Sequence, residues 1–224
     1  MGNLDPSAMS RLIALLVHDL RNPAATLGAN VDFLQEIGGS DEDSAEALAD
    51  MAVALEELKR GLEQVSWIGR SFVGQMPLEL EDSDLAARLK ALEGKSGPLQ
   101  VEVTLEKLEG VVPGGNAIVR IVEILLENVR HHQRRGAVSV RARRDDEALI
   151  VEIEDEATPV AIELREKIFT LEGQSDLKSR SDGRYGRFAG MLAAAILASS
   201  LGGTLEAVEG TQSGAVFRLR VPRS

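Results

Sequence analysis

The stretch "LLVHDLRNPAATL", residues 15 to 27, sets a histidine, an aspartate, an arginine and an asparagine close together in an otherwise apolar pattern. Imidazole takes up and releases protons near neutral pH, and it serves as a nucleophile when a neighbour orients the ring. On a helix that advances about 100° per residue, His18 shares a face with Asn22, Ala25 and Ala29, with Ala14 and Arg21 close by. Leu16, Leu20, Pro23, Leu27, Val31 and Leu34 fall on the opposite side. A lone helical histidine is ordinarily a solvated surface residue, but these neighbours supply chemistry. Asp19 can orient or polarise the ring, Arg21 can offset phosphate charge, and Asn22 can hydrogen-bond a phosphoryl oxygen or a water. The alanines leave room for another protein to come near the ring.

The elements that must hold this face follow from hydrophobic spacing. Apolar residues at helical intervals predict one helix from Ser7 to about Ile37, stopped by the Gly-rich "IGGSDED". Residues 42 to 74 predict a second, with Met51, Leu55, Leu58, Leu62 and Val65 on one side, and Pro77 ends it. Two long helices joined by a short turn form a hairpin whose apolar stripes exceed what each can cover on the other. Such hairpins pair into a four-helix bundle, so a homodimer is expected.

Beyond Met76 the pattern is mixed, which places a domain boundary between residues 1–76 and 77–224. A short helix in "DSDLAARLKALEG" precedes a strand "LQVEVTLE", a helix "NAIVRIVEILLENVRHHQ", and strands "AVSVRARR" and "ALIVEIED" joined by "DDE". A helix in "PVAIELREKIF", a polar stretch over 171–185, an apolar helix in "RFAGMLAAAILASSLGG" and strands "TLEAVEG" and "AVFRLRVP" complete the chain. The fold class is α+β: an antiparallel helical hairpin followed by an α/β sandwich with helices on one face of a mixed sheet.

Composition narrows the partners. A hydrophobic content of 44% over 224 residues suffices for a packed core, and 36 acidic against 25 basic side chains give a formal charge of −11. Nucleic acid and anionic membrane surfaces are therefore not expected partners. With no cysteine there are no disulfides or thiolate metal sites. The start "MGNLDPSAMS" lacks the pattern of a signal peptide and "FAGMLAAAILA" is too short to span a bilayer, so a cytoplasmic protein is expected. His131 and His132 point about 100° apart on their helix, so they are not expected to share a metal. The cluster "RRGAVSVRARR" reads as a solvated face.

The run "HDLRNP" resembles the H box of two-component histidine kinases, carried on the first helix of a dimerisation hairpin. By that resemblance His18 accepts the phosphoryl group. The second half resembles the ATP-binding domain of the same kinases. In "EILLENVRHH" the resemblance puts Asn128 at the Mg²⁺-binding asparagine, and in "EIEDEATPV" it puts Asp155 at the adenine contact. The first glycine box has lost both glycines, to Ala157 and Pro159. In "GRFAG" Gly186 and Gly190 remain while Phe188 takes the middle position, and residues 171–185 look like a remnant ATP lid. Glycines in such loops let backbone N–H groups approach phosphates, which Pro159 cannot do and Phe188 obstructs.

An H box joined to a degenerate nucleotide site resembles the dimeric histidine phosphotransferases of the ChpT type and the sporulation phosphotransferase B of bacilli. That resemblance implies transfer through His18 between receiver-domain aspartates, with Asp19, Arg21 and Asn22 as further site residues. The partners implied are receiver domains of a hybrid histidine kinase and of response regulators, with Mg²⁺ supplied by the receiver. No stably bound cofactor or metal is expected, and Asn128, Asp155, Gly186 and Gly190 would be vestigial. The alternatives are a sensor-less ATP-dependent histidine kinase and a non-enzymatic scaffold that binds response regulators.

Overall fold

The computed structural model describes residues 6–37, 42–72, 80–94, 99–132, 136–156, 159–178, 190–209 and 214–223. The expected boundary at 76/77 lies outside them. Helices α1 (Pro6–Ile37) and α2 (Glu42–Phe72) form the hairpin. Proline is tolerated at the first helical position, where an N–H would have no intrahelical partner, and Pro6 sits there. The helices approach closely where Gly61 faces Leu20: a Cβ at Gly61 would stand 2.8 Å from Leu20 Cδ2.

The hairpin buries less of its apolar surface than a single stripe implies. On α2 the residues turned inward are Ser44, Ala47, Ala54, Gly61, Gln64 and Ile68, with Met51, Leu58 and Val65 half-buried. Leu48, Leu55 and Leu62 are 57%, 43% and 52% exposed, so the expected stripe divides into an inner face and an outer one. On α1 Pro23 is buried and Leu20, Leu27 and Leu34 are half-buried, while Val31 lies on the surface with Val17.

The second half begins with β1 (Ser83–Asp84) and α3 (Leu85–Lys90). Asp84 caps α3 by accepting the Ala87 N–H at 3.0 Å. Then come β2 (Leu99–Glu106), β3 (Val111–Val112), α4 (Gly115–His132), β4 (Gly136–Arg144) and β5 (Ala148–Asp155). After β5 the chain forms two short 3-10 turns, Ile162–Leu164 and Lys167–Phe169, and then α5 (Leu171–Lys178), α6 (Gly190–Ser200), β6 (Thr204–Glu209) and β7 (Ala215–Pro222).

The five-stranded sheet runs β2-β4-β5-β7-β6, with β2 parallel to β4 and the other neighbours antiparallel; β1 and β3 pair separately. Strand alternation sends Val101, Val140, Val151, Ile153, Phe217 and Leu219 to one face, where they join Ile121, Leu125 and Leu197 from the helices. The other face carries Arg141 paired with Glu154, and Arg218 paired with Glu152 at 2.7 Å. This is the expected α+β arrangement.

Two expectations are corrected. "PVAIELREKIF" is not one helix but the two 3-10 turns, and Ile162 within it is 78% exposed. The polar stretch after 170 contains α5, whose Gly173, Gln174 and Leu177 are buried. The Gln174 side-chain amide donates to the Ile168 carbonyl at 2.5 Å, which ties α5 to the preceding turn.

The hairpin and the sheet domain share packing. Ile68 of α2 has no exposed surface and belongs to the same apolar cluster as α4 and α6. Nearby, Arg120 of α4 meets Glu63 of α2 at 2.5 Å.

Candidate functional site

The sequence places its reactive residues along α1, which continues through Pro23. Proline cannot donate to the carbonyl one turn earlier, and Pro23 turns its ring into the hairpin while Arg21 and Asn22 beside it are exposed. Ala25 and Ala29 are exposed as well, so these four expected members of the face share a surface. The backbones of His18 and Asp19 belong to α1; their side chains lie outside the described part. Thr26 Oγ1 donates to the Asn22 carbonyl at 3.3 Å, leaving the Asn22 side chain free of that contact.

The second group sits in the sheet domain. Asn128 is buried in α4, Asp155 ends β5 and is buried, and Gly190 opens α6. Gly190 packs beside α4: a Cβ there would stand 3.2 Å from Ile124 Cγ2, one helical turn before Asn128. Asp155 is held within the sheet, because its Oδ1 accepts the Ala215 N–H at 3.0 Å. A Cβ at Gly214 would fall 1.6 Å from the Asp155 carbonyl oxygen, so the entry to β7 requires glycine. Pro159 is exposed. Ala157, Gly186 and Phe188 lie outside the described residues, as do the side chains of His131 and His132.

Sequence reasoning missed Gln64. It lies on α2, only 7% exposed, and the same Cβ built on Gly190 would be 3.4 Å from its Nε2. Gln64 Oε1 is buried with no hydrogen-bond partner among the described residues. The available signal was a glutamine on the hairpin's inner face, in line with Gly61 and Ile68.

Among the described residues there is no cluster of three or more His, Asp or Glu side chains able to hold a metal ion. No described helix is long and apolar enough to cross a membrane.

Comparison with known proteins agrees with this architecture. Residues 115–224 match the family described as histidine kinase-, DNA gyrase B-, and HSP90-like ATPase. The sensor protein DivL of Caulobacter vibrioides is 27% identical over 160 residues, covering 68% of this chain and 21% of DivL. The probable sensor histidine kinase TcrY of Mycobacterium tuberculosis is 26% identical over 223 residues, covering 96% of this chain and 46% of TcrY. The chain thus spans less than half the length of these curated relatives.

Solved structures share the fold. The histidine kinase AdeS of Acinetobacter baumannii superposes with a TM-score of 0.65 at 18% identity, over 92% of this chain and 97% of that one. Histidine kinase ThkA, solved in complex with response regulator protein TrrA, gives 0.64 at 16% identity, over 97% and 63%. A bacterial phosphotransferase gives 0.50 at 16% identity, over 97% and 98%. The mixed sheet with α4 and α6 on one face, bearing Asn128, Asp155 and Gly190 on three of its elements, resembles the histidine kinase ATP-binding domain, and residues 115–224 match that ATPase family.

Proposed function

We propose that the chain is a histidine phosphotransferase, acting as a homodimer, that carries phosphoryl groups between receiver-domain aspartates through His18. The observation that carries this reading is the proximity of Gln64 to Gly190, where an added Cβ would stand 3.4 Å from Gln64 Nε2. The start of α6, where the resemblance would seat nucleotide phosphates, faces a buried side chain of the hairpin. Asp155, the expected adenine contact, already uses Oδ1 within the sheet, and Pro159 has no N–H to offer. These residues fit a nucleotide poorly, and no step is assigned to ATP.

The chemistry then belongs to the α1 face. A nitrogen of His18 attacks the phosphorus of a receiver's aspartyl phosphate; the P–O bond to the carboxyl group breaks and restores the carboxylate. The P–N bond forms as the ring gives up a proton. A second receiver's carboxylate then attacks phosphorus, the P–N bond breaks, and the ring recovers a proton. Asp19 holds the other ring nitrogen, while Arg21 and Asn22 place the phosphoryl oxygens. Mg²⁺ comes with the receiver. The exposed Ala25 and Ala29 give the incoming domain a low-relief surface. ThkA, a relative in fold, was solved with a response regulator, which is compatible with receivers as partners.

A second reading, an ATP-dependent kinase, is favoured by the retention of Asn128 and Asp155 within the segment that matches the ATPase family. Incubation with labelled Mg-ATP beside a His18→Ala control separates the two. The phosphotransferase reading expects neither nucleotide binding nor label. Acid-labile, base-stable label on the wild type alone would establish the kinase.

A further inference from the structure

Each element carrying a nucleotide-site position runs away from that site to a second concavity. Asp155 ends β5 and Ala148 begins it, a span of roughly 23 Å at strand rise. Gly190 begins α6 and Ser200 ends it, roughly 15 Å away at helical rise. Ala148, Ser200 and Gly114, which precedes α4, all line a cleft of 390 Å³ at that far end. A volume of this size falls within the range of small-molecule pockets.

Local backbone features build the cleft. Gly202 has φ +67°, and α6 closes with the Gly203 N–H on the Ala198 carbonyl at 2.9 Å and the Gly202 N–H on the Ser199 carbonyl at 3.0 Å. This glycine cap turns the chain sharply and leaves Leu201 facing the cleft. Gly114 has φ +64°, and a Cβ there would strike Leu201 Cδ2 at 2.3 Å. Its N–H donates to Asp82 Oδ1 at 3.1 Å, which engages the carboxylate that lines the cleft.

The lining combines the apolar residues Val112, Leu149, Leu201 and Val221 with Arg144, Arg223 and Asp82, the last of which accepts the Gly114 N–H. Other arginines of the same sheet are paired: Arg141 with Glu154, Arg143 with Asp145, Arg218 with Glu152 and Arg220 with Glu147. Among the described residues, the Arg144 and Arg223 side chains have no hydrogen-bond or ion-pair partner. Two arginines without a partner against one carboxylate leave the lining with a net positive charge beside apolar residues, which an external anion on an apolar body would complement. We propose that this cleft binds a small organic anion, a carboxylate or phosphate carried on an apolar body, apart from the nucleotide-site positions.

The test is a titration of the full chain with phenyl phosphate, read from backbone amide resonances, beside inorganic phosphate and an Arg144→Gln/Arg223→Gln double variant. Shifts at Gly114, Leu149 and Leu201 are expected, with affinity at least about ten-fold weaker for inorganic phosphate and for the variant. Absence of those shifts up to about 10 mM phenyl phosphate would overturn the assignment. Equal binding of inorganic phosphate would remove the apolar part of the site, and unchanged binding by the variant, with its thermal melt intact, would remove the role of the arginines. Either result overturns the proposal.

Discussion

Gln64 of α2 lies against Gly190 at the first turn of α6, so the hairpin reaches the glycine that the resemblance would reserve for a nucleotide. Ile124 lies on the same side of Gly190, and Gln64 Oε1 is buried there with no partner among the described residues. Leaving a buried acceptor unsatisfied costs about 1–3 kcal/mol, whereas replacing it with an apolar group of similar shape removes that cost. Gln64→Met should therefore raise stability by about 1 kcal/mol, seen as a higher denaturant midpoint with an unchanged slope.

Ile68 extends the same contact into the core, since it has no exposed surface and clusters with residues of α4 and α6. Ile68→Ala should cost about 2–5 kcal/mol by lost burial and the cavity it leaves. Amide exchange in the amino-terminal turn of α6 should accelerate along with the global change. If unfolding is unaffected, the hairpin and the sheet domain are not joined through this side chain.

Leu48, Leu55 and Leu62 repeat every seven residues along the outer face of α2, as Val17 and Val31 lie two such steps apart on α1, and all five are exposed. These exposed apolar rows are surface that the proposed second copy would cover. Leu55→Glu with Leu62→Glu should convert a dimer to a monomer in sedimentation equilibrium with little loss of helix. A wild-type monomer would remove the dimer from the proposal.

The β4–β5 turn carries a pH response. Asp145 Oδ1 accepts the Ala148 N–H at 2.8 Å and the Glu147 N–H at 2.9 Å, and these bonds hold its carboxyl below the ordinary carboxylate value. The turn's contribution is therefore complete above the unfolded-state pKa and lost as pH falls through the lowered one. Asp145→Asn should destabilise the protein at neutral pH and do so less as pH falls through the lowered carboxyl pKa, where the wild-type group takes up its proton. Thermal melts of both proteins across that range check the sign.

Strands β5 and β7 were legible to the residue from the sequence, because alternation between a buried face and a charged one is a strong local signal. Val160, Leu164 and Ile168 fall four residues apart and imitate helical spacing, although Ile162 between them projects into solvent. Helix α5 was hidden by polarity: Gln174 is fully buried, but its amide is engaged by the Ile168 carbonyl, a partner six residues back that spacing does not reveal. Leu55, Leu58 and Leu62 share helical spacing in the sequence, and only the packed hairpin separates their faces. The His18, Asp19, Arg21 and Asn22 constellation could be named from the sequence, whereas the contact of Gln64 with Gly190 depends on how two distant segments meet.

Transfer through His18 is tested by offering the purified chain a receiver domain that carries labelled aspartyl phosphate and Mg²⁺. Acid-labile, base-stable label is expected on the wild type and none on His18→Ala, with the label chased to a second, unphosphorylated receiver. Receiver binding without any label on the chain would contradict transfer and leave a scaffold that holds receivers without touching their phosphate.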